Sequence, residues 1–101
     1  MRQKSPLARR REKATGRTLN EQAEKMHVSA GNLCQVELGR ATMGNKLMAQ
    51  LADAYDCTQE DIEIDYLRGR LDRMAEDTMR AKVRVREILA ERKERRTRRA
   101  S

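Results

Sequence analysis

The chain contains almost no aromatic side chains: two Tyr, no Phe and no Trp among 101 residues. A folded core must therefore be built from Leu, Met, Ala, Val and Ile, and such a core is thin in a chain of this length. We expect one small domain with an appendage, and we expect self-association to supply part of its stability.

Other residue types are scarce enough to exclude whole classes of site. Cys34 and Cys57 match no zinc-binding spacing and the chain has one His, so we predict no metal site. No nucleophile has a candidate base nearby and no glycine-rich phosphate loop is present, which predicts neither an enzyme nor a bound cofactor. No apolar run approaches the roughly 20 residues of a membrane span. Two cysteines without a signal-like stretch favour a reducing cytoplasm.

Charge is unevenly divided along the chain, whose net charge is +7. Residues 1–18 hold seven Lys/Arg and one Glu, residues 19–66 three Lys/Arg and nine Asp/Glu, and residues 67–101 thirteen Lys/Arg and six Asp/Glu. The middle of the chain is therefore acidic, and basicity alone does not argue for nucleic-acid binding. The run of arginines at 9–11 either contacts phosphates or forms a solvated helix face with an internal salt bridge.

The stretch 18–40 predicts two short helices joined by a tight turn. Thr18 and Glu21 form a capping box that starts the first helix. Small or apolar residues then follow a helix, a break and a second helix: Leu19, Ala23, Met26, Val28, Leu33 and Val36. Such a pair cannot bury its own apolar faces, so it needs flanking helices and leaves the outer face of its second helix free.

Flanking helices are predicted on both sides, which makes residues 7–65 an all-α domain after a flexible arm at 1–6. Pro6 suits a first helical turn, Gly39 suits the position beyond the third helix, and Thr58 caps the fifth. The predicted helices are 6–14, 19–26, 30–38, 46–55 and one beginning near residue 59. The expected core residues in the last two are Leu47, Met48, Leu51, Ala52, Tyr55, Ile62 and Tyr66.

Residues 66–98 lack Pro and are rich in Arg, Glu, Ala, Met and Leu, which favours one long helix before a tail at 99–101. Apolar or small residues step alternately by four and three and form a heptad seam: Leu67, Leu71, Met74, Thr78, Ala81, Val85 and Ile88. A lone helix would expose this seam to water, so we favour a two-chain coiled coil or a helical hairpin. Gly69 is predicted to mark a bend where the fifth helix becomes the rod.

The stretch TLNEQAEKMHVSAGNLCQVELGR at 18–40 resembles the helix-turn-helix of the Cro and lambda-repressor (XRE-type) DNA-binding proteins. The resemblance extends to LMAQLADAYDCTQEDI at 47–62 and covers roughly residues 7–64. It implies a five-helix Cro/repressor-like domain, here followed by a long, coiled-coil-like C-terminal helix. Three residues depart from the family pattern: His27 replaces a left-handed Gly, Gln22 occupies an apolar site, and Gly31 lies inside the recognition helix.

The resemblance also implies a set of DNA contacts. Base edges would be faced by Ser29, Ala30, Gly31, Asn32 and Gln35, of which Asn32 and Gln35 can make bidentate contacts with adenine. Phosphates would be contacted by Arg9, Arg10, Arg17, Thr18, Arg40, Thr42, Asn45 and Lys46. An ion pair is expected between Glu37 and either Arg10 or Arg11. The acidic residues expected on the side away from DNA are Asp53, Asp56, Glu60, Asp61, Glu63 and Asp65.

Together these features predict a sequence-specific, double-stranded DNA-binding transcriptional regulator of the repressor type, bacterial or phage, acting at the nucleoid. It would be a homodimer on an inverted-repeat operator, with recognition helix 30–38 in the major groove. One alternative is an interaction protein, such as a toxin-antitoxin antitoxin whose C-terminal helix binds a partner protein. Another is a helix-turn-helix that serves only as a protein-binding scaffold. Cys34 is either a redox-sensitive thiol or a small apolar filler.

Overall fold

The computed structural model describes residues 4–100, and every regular element in that range is an α-helix. The helices are α1 (Pro6–Thr15), α2 (Leu19–Met26), α3 (Ala30–Glu37), α4 (Asn45–Ala54) and α5 (Gln59–Ala100). The predicted all-α class and the long C-terminal helix are confirmed, and the first four helices begin and end within one residue of the prediction. No helix of the described range is both long and apolar enough to cross a membrane.

The N-terminal arm is shorter than predicted. Its first three residues lie outside the described range, but Ser5 caps α1 by accepting a hydrogen bond from the Ala8 N–H at 3.2 Å. Pro6 is then the first residue of the helix, where its fixed φ is favourable and its missing N–H costs nothing. Lys4 is also held, because its ammonium lies 2.6 Å from the Glu12 carboxylate.

Local capping signals fix where α2, α3 and α5 begin. The Thr18 hydroxyl accepts from the Glu21 N–H while the Glu21 carboxylate accepts from the Thr18 N–H, which is the predicted capping box. Thr58 and Asp61 repeat this exchange at the start of α5, and those hydrogen bonds lower the pKa of Asp61. The α2 helix ends at His27, which is left-handed with φ 56°, as the resemblance implied.

The core lies where α1 to α4 close around the first turns of α5. Its buried members are Leu7, Ala23, Leu33, Val36, Met43, Leu51, Ala52, Tyr55, Ile62 and Tyr66. Leu47 and Met48 are partly buried against this cluster. Both Tyr residues are used here, and the remaining positions are aliphatic or Met, as the scarcity of aromatics required. The predicted core of the fourth and fifth helices is confirmed.

The fifth helix and the C-terminal rod form one uninterrupted helix of 42 residues, and the predicted bend at Gly69 stays a prediction. Gly69 is buried, and a Cβ built there would lie 3.5 Å from the Glu37 carbonyl oxygen and 3.7 Å from Pro6 Cδ. α5 therefore passes close to the end of α3 and the start of α1 at Gly69, at a distance that would still accommodate an alanine. The predicted tail is also shorter, because Arg99 and Ala100 still belong to α5.

The crossing of α3 and α5 predicts opposite outcomes for two Gly→Ala substitutions. Gly39 has φ +74°, and its added Cβ would lie 2.7 Å from Arg70 Cα, so Gly39→Ala should cost roughly 2 kcal/mol or more. Gly69→Ala meets its neighbours at ordinary contact distances and should stabilise the helix by up to about 1 kcal/mol. Urea unfolding of the two variants measures the difference, and equal effects would contradict the described packing.

Candidate nucleic-acid interface

The α3 helix separates a buried side from an exposed one. Leu33 and Val36 are fully buried against the core, whereas Gly31, Asn32 and Gln35 are exposed. Residues three or four apart share a helix face, so Gln35 lies on the same face as both Gly31 and Asn32, and the three form one exposed strip. The preceding turn adds exposed Ser29, while Ala30 is partly buried beside the core. All five residues predicted to face bases are therefore accessible at least in part.

The start of α3 is held firmly against α2. Ser29 caps α3 by accepting a hydrogen bond from the Asn32 N–H at 3.3 Å. The Val28 N–H donates to the Ala23 carbonyl at 3.0 Å, and the left-handed His27 turns the chain between the helices. This fixes the direction in which the exposed strip points, which is what a reading surface requires.

A buried ion pair holds the other end of α3 to α1. Arg11 Nε lies 2.9 Å from Glu37 Oε2 and Arg11 Nη2 lies 3.3 Å from Glu37 Oε1, and both side chains are 7% exposed. Arg11 Nη1 also donates to the Arg17 carbonyl at 2.6 Å, and the hydrogen bond to Glu37 raises the pKa of Arg11. Of the two arginines predicted as partners of Glu37, the structure thus selects Arg11.

Arg10 has a different partner. It pairs with Asp65 on α5, and that hydrogen bond raises the pKa of Arg10. Asp65 is buried, and its predicted place on the side away from DNA stays a prediction. Arg10 is partly buried and its charge is already paired, which makes it a weaker phosphate candidate than its exposed neighbour Arg9.

The other residues predicted to contact phosphates form two groups, those that already have a structural role and those that are simply exposed. Arg17 is half-buried and donates to the Gln22 side-chain oxygen at 3.1 Å, and Thr18 is the cap of α2. The remaining candidates are exposed, and all lie in the loop after α3 or in the first turn of α4: Arg40, Thr42, Asn45 and Lys46. These four residues follow the strip in the chain, where backbone contacts fix the register of a helix on DNA.

Two supporting residues carry roles that the sequence alone did not reveal. The Tyr66 hydroxyl donates to the Ala41 carbonyl at 3.0 Å and so ties the loop that bears Arg40 and Thr42 to α5. A buried Tyr hydroxyl needs a polar partner, which is the signal that would have found it. Gln22, at a position the resemblance makes apolar, is fully buried and receives the Arg17 hydrogen bond. Tyr55 is also buried, its hydroxyl has no hydrogen-bond partner among the described residues, and burial raises its pKa.

The predicted seam of α5 lies open along its length. Six of its seven residues are exposed and Ile88 is partly buried. Ile64, three residues before Leu67 and 46% exposed, extends the same stepping by one position. We call Ile64 and the seven seam residues the α5 stripe. The α5 stripe is thus an apolar surface that the described residues leave uncovered.

Comparison with known proteins adds no relative: no family model matches the chain, and no similar curated protein or solved structure was found.

Proposed function

We propose that this chain is a sequence-specific double-stranded DNA-binding regulator that acts as a homodimer. In this proposal α2 and α3 form a helix-turn-helix of the Cro and lambda-repressor type, and α3 enters the major groove. The observation that carries the proposal is the exposed strip on α3, whose amide side chains project from a helix anchored at both ends. A major groove about 12 Å wide admits such a helix.

The chemistry of the strip fits readout of adenine and thymine better than guanine. Asn32 and Gln35 each offer one donor and one acceptor, which matches the N6 and N7 atoms of adenine. Ala30 can contact a thymine methyl group, and the strip carries no Arg or Lys for guanine. Specificity per half-site is therefore modest, so two half-sites and DNA shape must contribute the rest.

The charges near α3 also support the proposal that its exposed strip faces DNA. Two of the nine acidic residues in 19–66, Glu37 and Asp65, are neutralised by buried contacts with α1. Exposed Arg40, whose backbone N–H donates to the Gln35 carbonyl at 2.9 Å, adds positive charge near the strip, and Lys46 is exposed in the first turn of α4. Phosphate neutralisation by such residues makes affinity fall with salt, so binding should weaken steeply as ionic strength rises.

Gln35→Ala tests this assignment. If Gln35 reads a base, the variant should lose about 1–3 kcal/mol on the preferred sequence and discriminate less at one base-pair position. Binding to a panel of point-substituted duplexes, at one stated salt concentration, measures both quantities. Gln59→Ala, an exposed Gln at the start of α5, is the matched control and should leave the panel unchanged.

An equal loss on every duplex would reassign Gln35 to backbone positioning, and no loss would remove α3 as the reading helix. The competing function is an interaction protein whose α5 stripe binds a different partner protein, and the exposure of that stripe favours it equally. A solution mass of the purified chain separates the two. Twice 11.7 kDa supports the homodimer, whereas a persistent monomer supports the heterologous partner.

A further inference from the structure

The α5 helix carries two apolar faces that point in nearly opposite directions. Ile62, Tyr66 and Gly69 are buried against the domain, whereas Ile64, Leu67 and Leu71 are 46–64% exposed. At about 100° per residue the mean directions of these two groups differ by roughly 170°. The domain therefore packs on the back of α5 and leaves the whole stripe accessible to a second helix.

We infer that the α5 stripe pairs with the same stripe of a second copy, parallel and in register, over residues 64–88. The inference rests on the proposed function in one respect, namely that the occupant is another copy of this chain. In heptad notation the a positions are Ile64, Leu71, Thr78 and Val85, and the d positions are Leu67, Met74, Ala81 and Ile88. Parallel pairing places each residue against its own counterpart, which gives eight matched layers about 37 Å long.

Charges beside the stripe favour this arrangement. In a parallel pair each g residue faces the e residue five positions later on the other helix. Two such contacts within the paired stretch join opposite charges: Glu63 with Arg68, and Asp77 with Lys82 of the second copy. The other two pair an arginine with an uncharged residue, and no like charges meet. The Asp77 contact flanks the Thr78 and Ala81 layers, where apolar packing is thinnest.

An antiparallel pair that covers the same apolar residues brings like charges together. It would place Ile64 against Ile88, Leu67 against Val85 and Leu71 against Ala81 of the second copy. In this register the flanking contacts join Glu63 with Glu91, Arg70 with Arg84, Asp77 with Asp77, and Arg68 with Lys82. Like charges facing one another across a coiled coil are used to reject a pairing, so this register is disfavoured.

Shifting one helix of the antiparallel pair by one heptad removes the contacts between like charges, but it places charged residues, or no residue of α5, opposite parts of the α5 stripe. In one direction Leu67 faces Arg92 and Ile64 faces Arg95, which buries guanidinium groups against apolar side chains. In the other direction Val85 faces Glu60, and Ile88 extends past the start of α5. Among these arrangements the parallel pair alone matches both the apolar layers and the charges.

The end of the stripe sets the length of the pair. The next a and d positions after Ile88 are Arg92, Arg95 and Arg99, so a parallel pair would confront arginine with arginine there. The two helices therefore separate beyond Ile88, and the basic ends extend from the tip of the coiled coil. The two domains lie together at the opposite end, which is the arrangement that two adjacent half-sites require.

Disulfide trapping tests the orientation without DNA. In a full-length chain with Cys34→Ala and Cys57→Ala, Ala81→Cys places one thiol per chain at a d position, where parallel copies bring the two thiols together. Val83→Cys is the matched control, because Val83 is also exposed and lies within the paired stretch, but at f on the outer side. Oxidation should convert most of the Ala81→Cys protein, and little of the Val83→Cys protein, to covalent dimer.

Failure of Ala81→Cys to cross-link overturns the parallel pair, as does more efficient cross-linking between Ala81→Cys and Leu71→Cys chains in a mixture. A charge-reversal cycle gives an independent readout by sedimentation equilibrium at low salt. Asp77→Lys and Lys82→Asp should each weaken the dimer about tenfold, and the double variant should restore it. In the apolar-matched antiparallel pair Lys82→Asp would instead tighten the dimer, because it would face Arg68.

These outcomes are separate from those of the proposed function. A parallel dimer that binds no duplex leaves the pairing intact and removes the DNA-binding proposal. A chain whose Gln35→Ala variant loses base preference, but which does not trap at position 81, keeps the proposal and removes the parallel pair.

Discussion

Glu37→Met is expected to lower the free energy of unfolding by about 3–5 kcal/mol, because it leaves a buried guanidinium without its counter-charge. Arg11 and Glu37 are each 7% exposed, so water does not replace the lost carboxylate. A small domain has about 5–15 kcal/mol in total, so this loss would be a large share of its stability. Urea unfolding followed by circular dichroism measures the change, with Glu24→Met, an exposed Glu of α2, as control.

The double variant Arg11→Met with Glu37→Met should recover most of that loss. Replacing both members of a buried ion pair by apolar residues is often neutral, since neither charge then has to be desolvated. About 1 kcal/mol should remain missing, because the Arg17 carbonyl loses the donor that Arg11 now supplies. A double variant less stable than the single one would show that the pair itself, and not the orphaned charge, dominates the energetics.

Leu71→Glu is expected to abolish the dimer while leaving the monomer folded. Leu71 is 64% exposed in a single chain, so its replacement removes little packing within the domain. In the dimer the substitution would remove two buried leucine side chains, whose burial contributes about 2 kcal/mol each, and would place two carboxylates face to face. The dimer dissociation constant should rise about 1,000-fold or more, and affinity for an inverted repeat should fall with it as two linked half-sites become independent.

Met79→Glu is the matched control for Leu71→Glu. Met79 is also 64% exposed and lies on the same helix, but it occupies a b position outside the stripe. It should keep the dimer and the DNA affinity of the unaltered protein. Analytical ultracentrifugation of the two variants decides the matter, and equal masses for both would show that the stripe is not the contact between subunits.

Capping residues account for most of what the sequence predicts about where the helices begin. Thr18, Ser29 and Thr58 each accept the backbone donor that their position implies, so the starts of three helices follow from local chemistry. The two faces of α3 follow from the spacing of Leu33 and Val36. These signals act within a few residues and do not depend on how the helices pack.

The roles of residues that depend on tertiary packing could not be predicted from the sequence. Arg10 and Arg11 are adjacent and chemically identical, and the rotation of α1 about its axis decides which one reaches Glu37. The partner of Arg10 lies 55 residues away, beyond any local pattern. Gly69 suits either a bend or a close crossing of helices, and only the position of α3 reveals the close crossing. The heptad pattern would have predicted Ile64 as well, because continuing its stepping backwards from Leu67 leads to this residue.

The most direct measurement is selection of binding sites from random duplex DNA by the full-length protein at stated salt, followed by footprinting of the enriched sequence. The account predicts an inverted repeat with half-sites about 34 Å apart, protected on one face of the duplex, and enriched adenines that disappear when Gln35→Ala protein is used. Recovery of no preferred sequence, together with no protection of any duplex at low ionic strength, would contradict it.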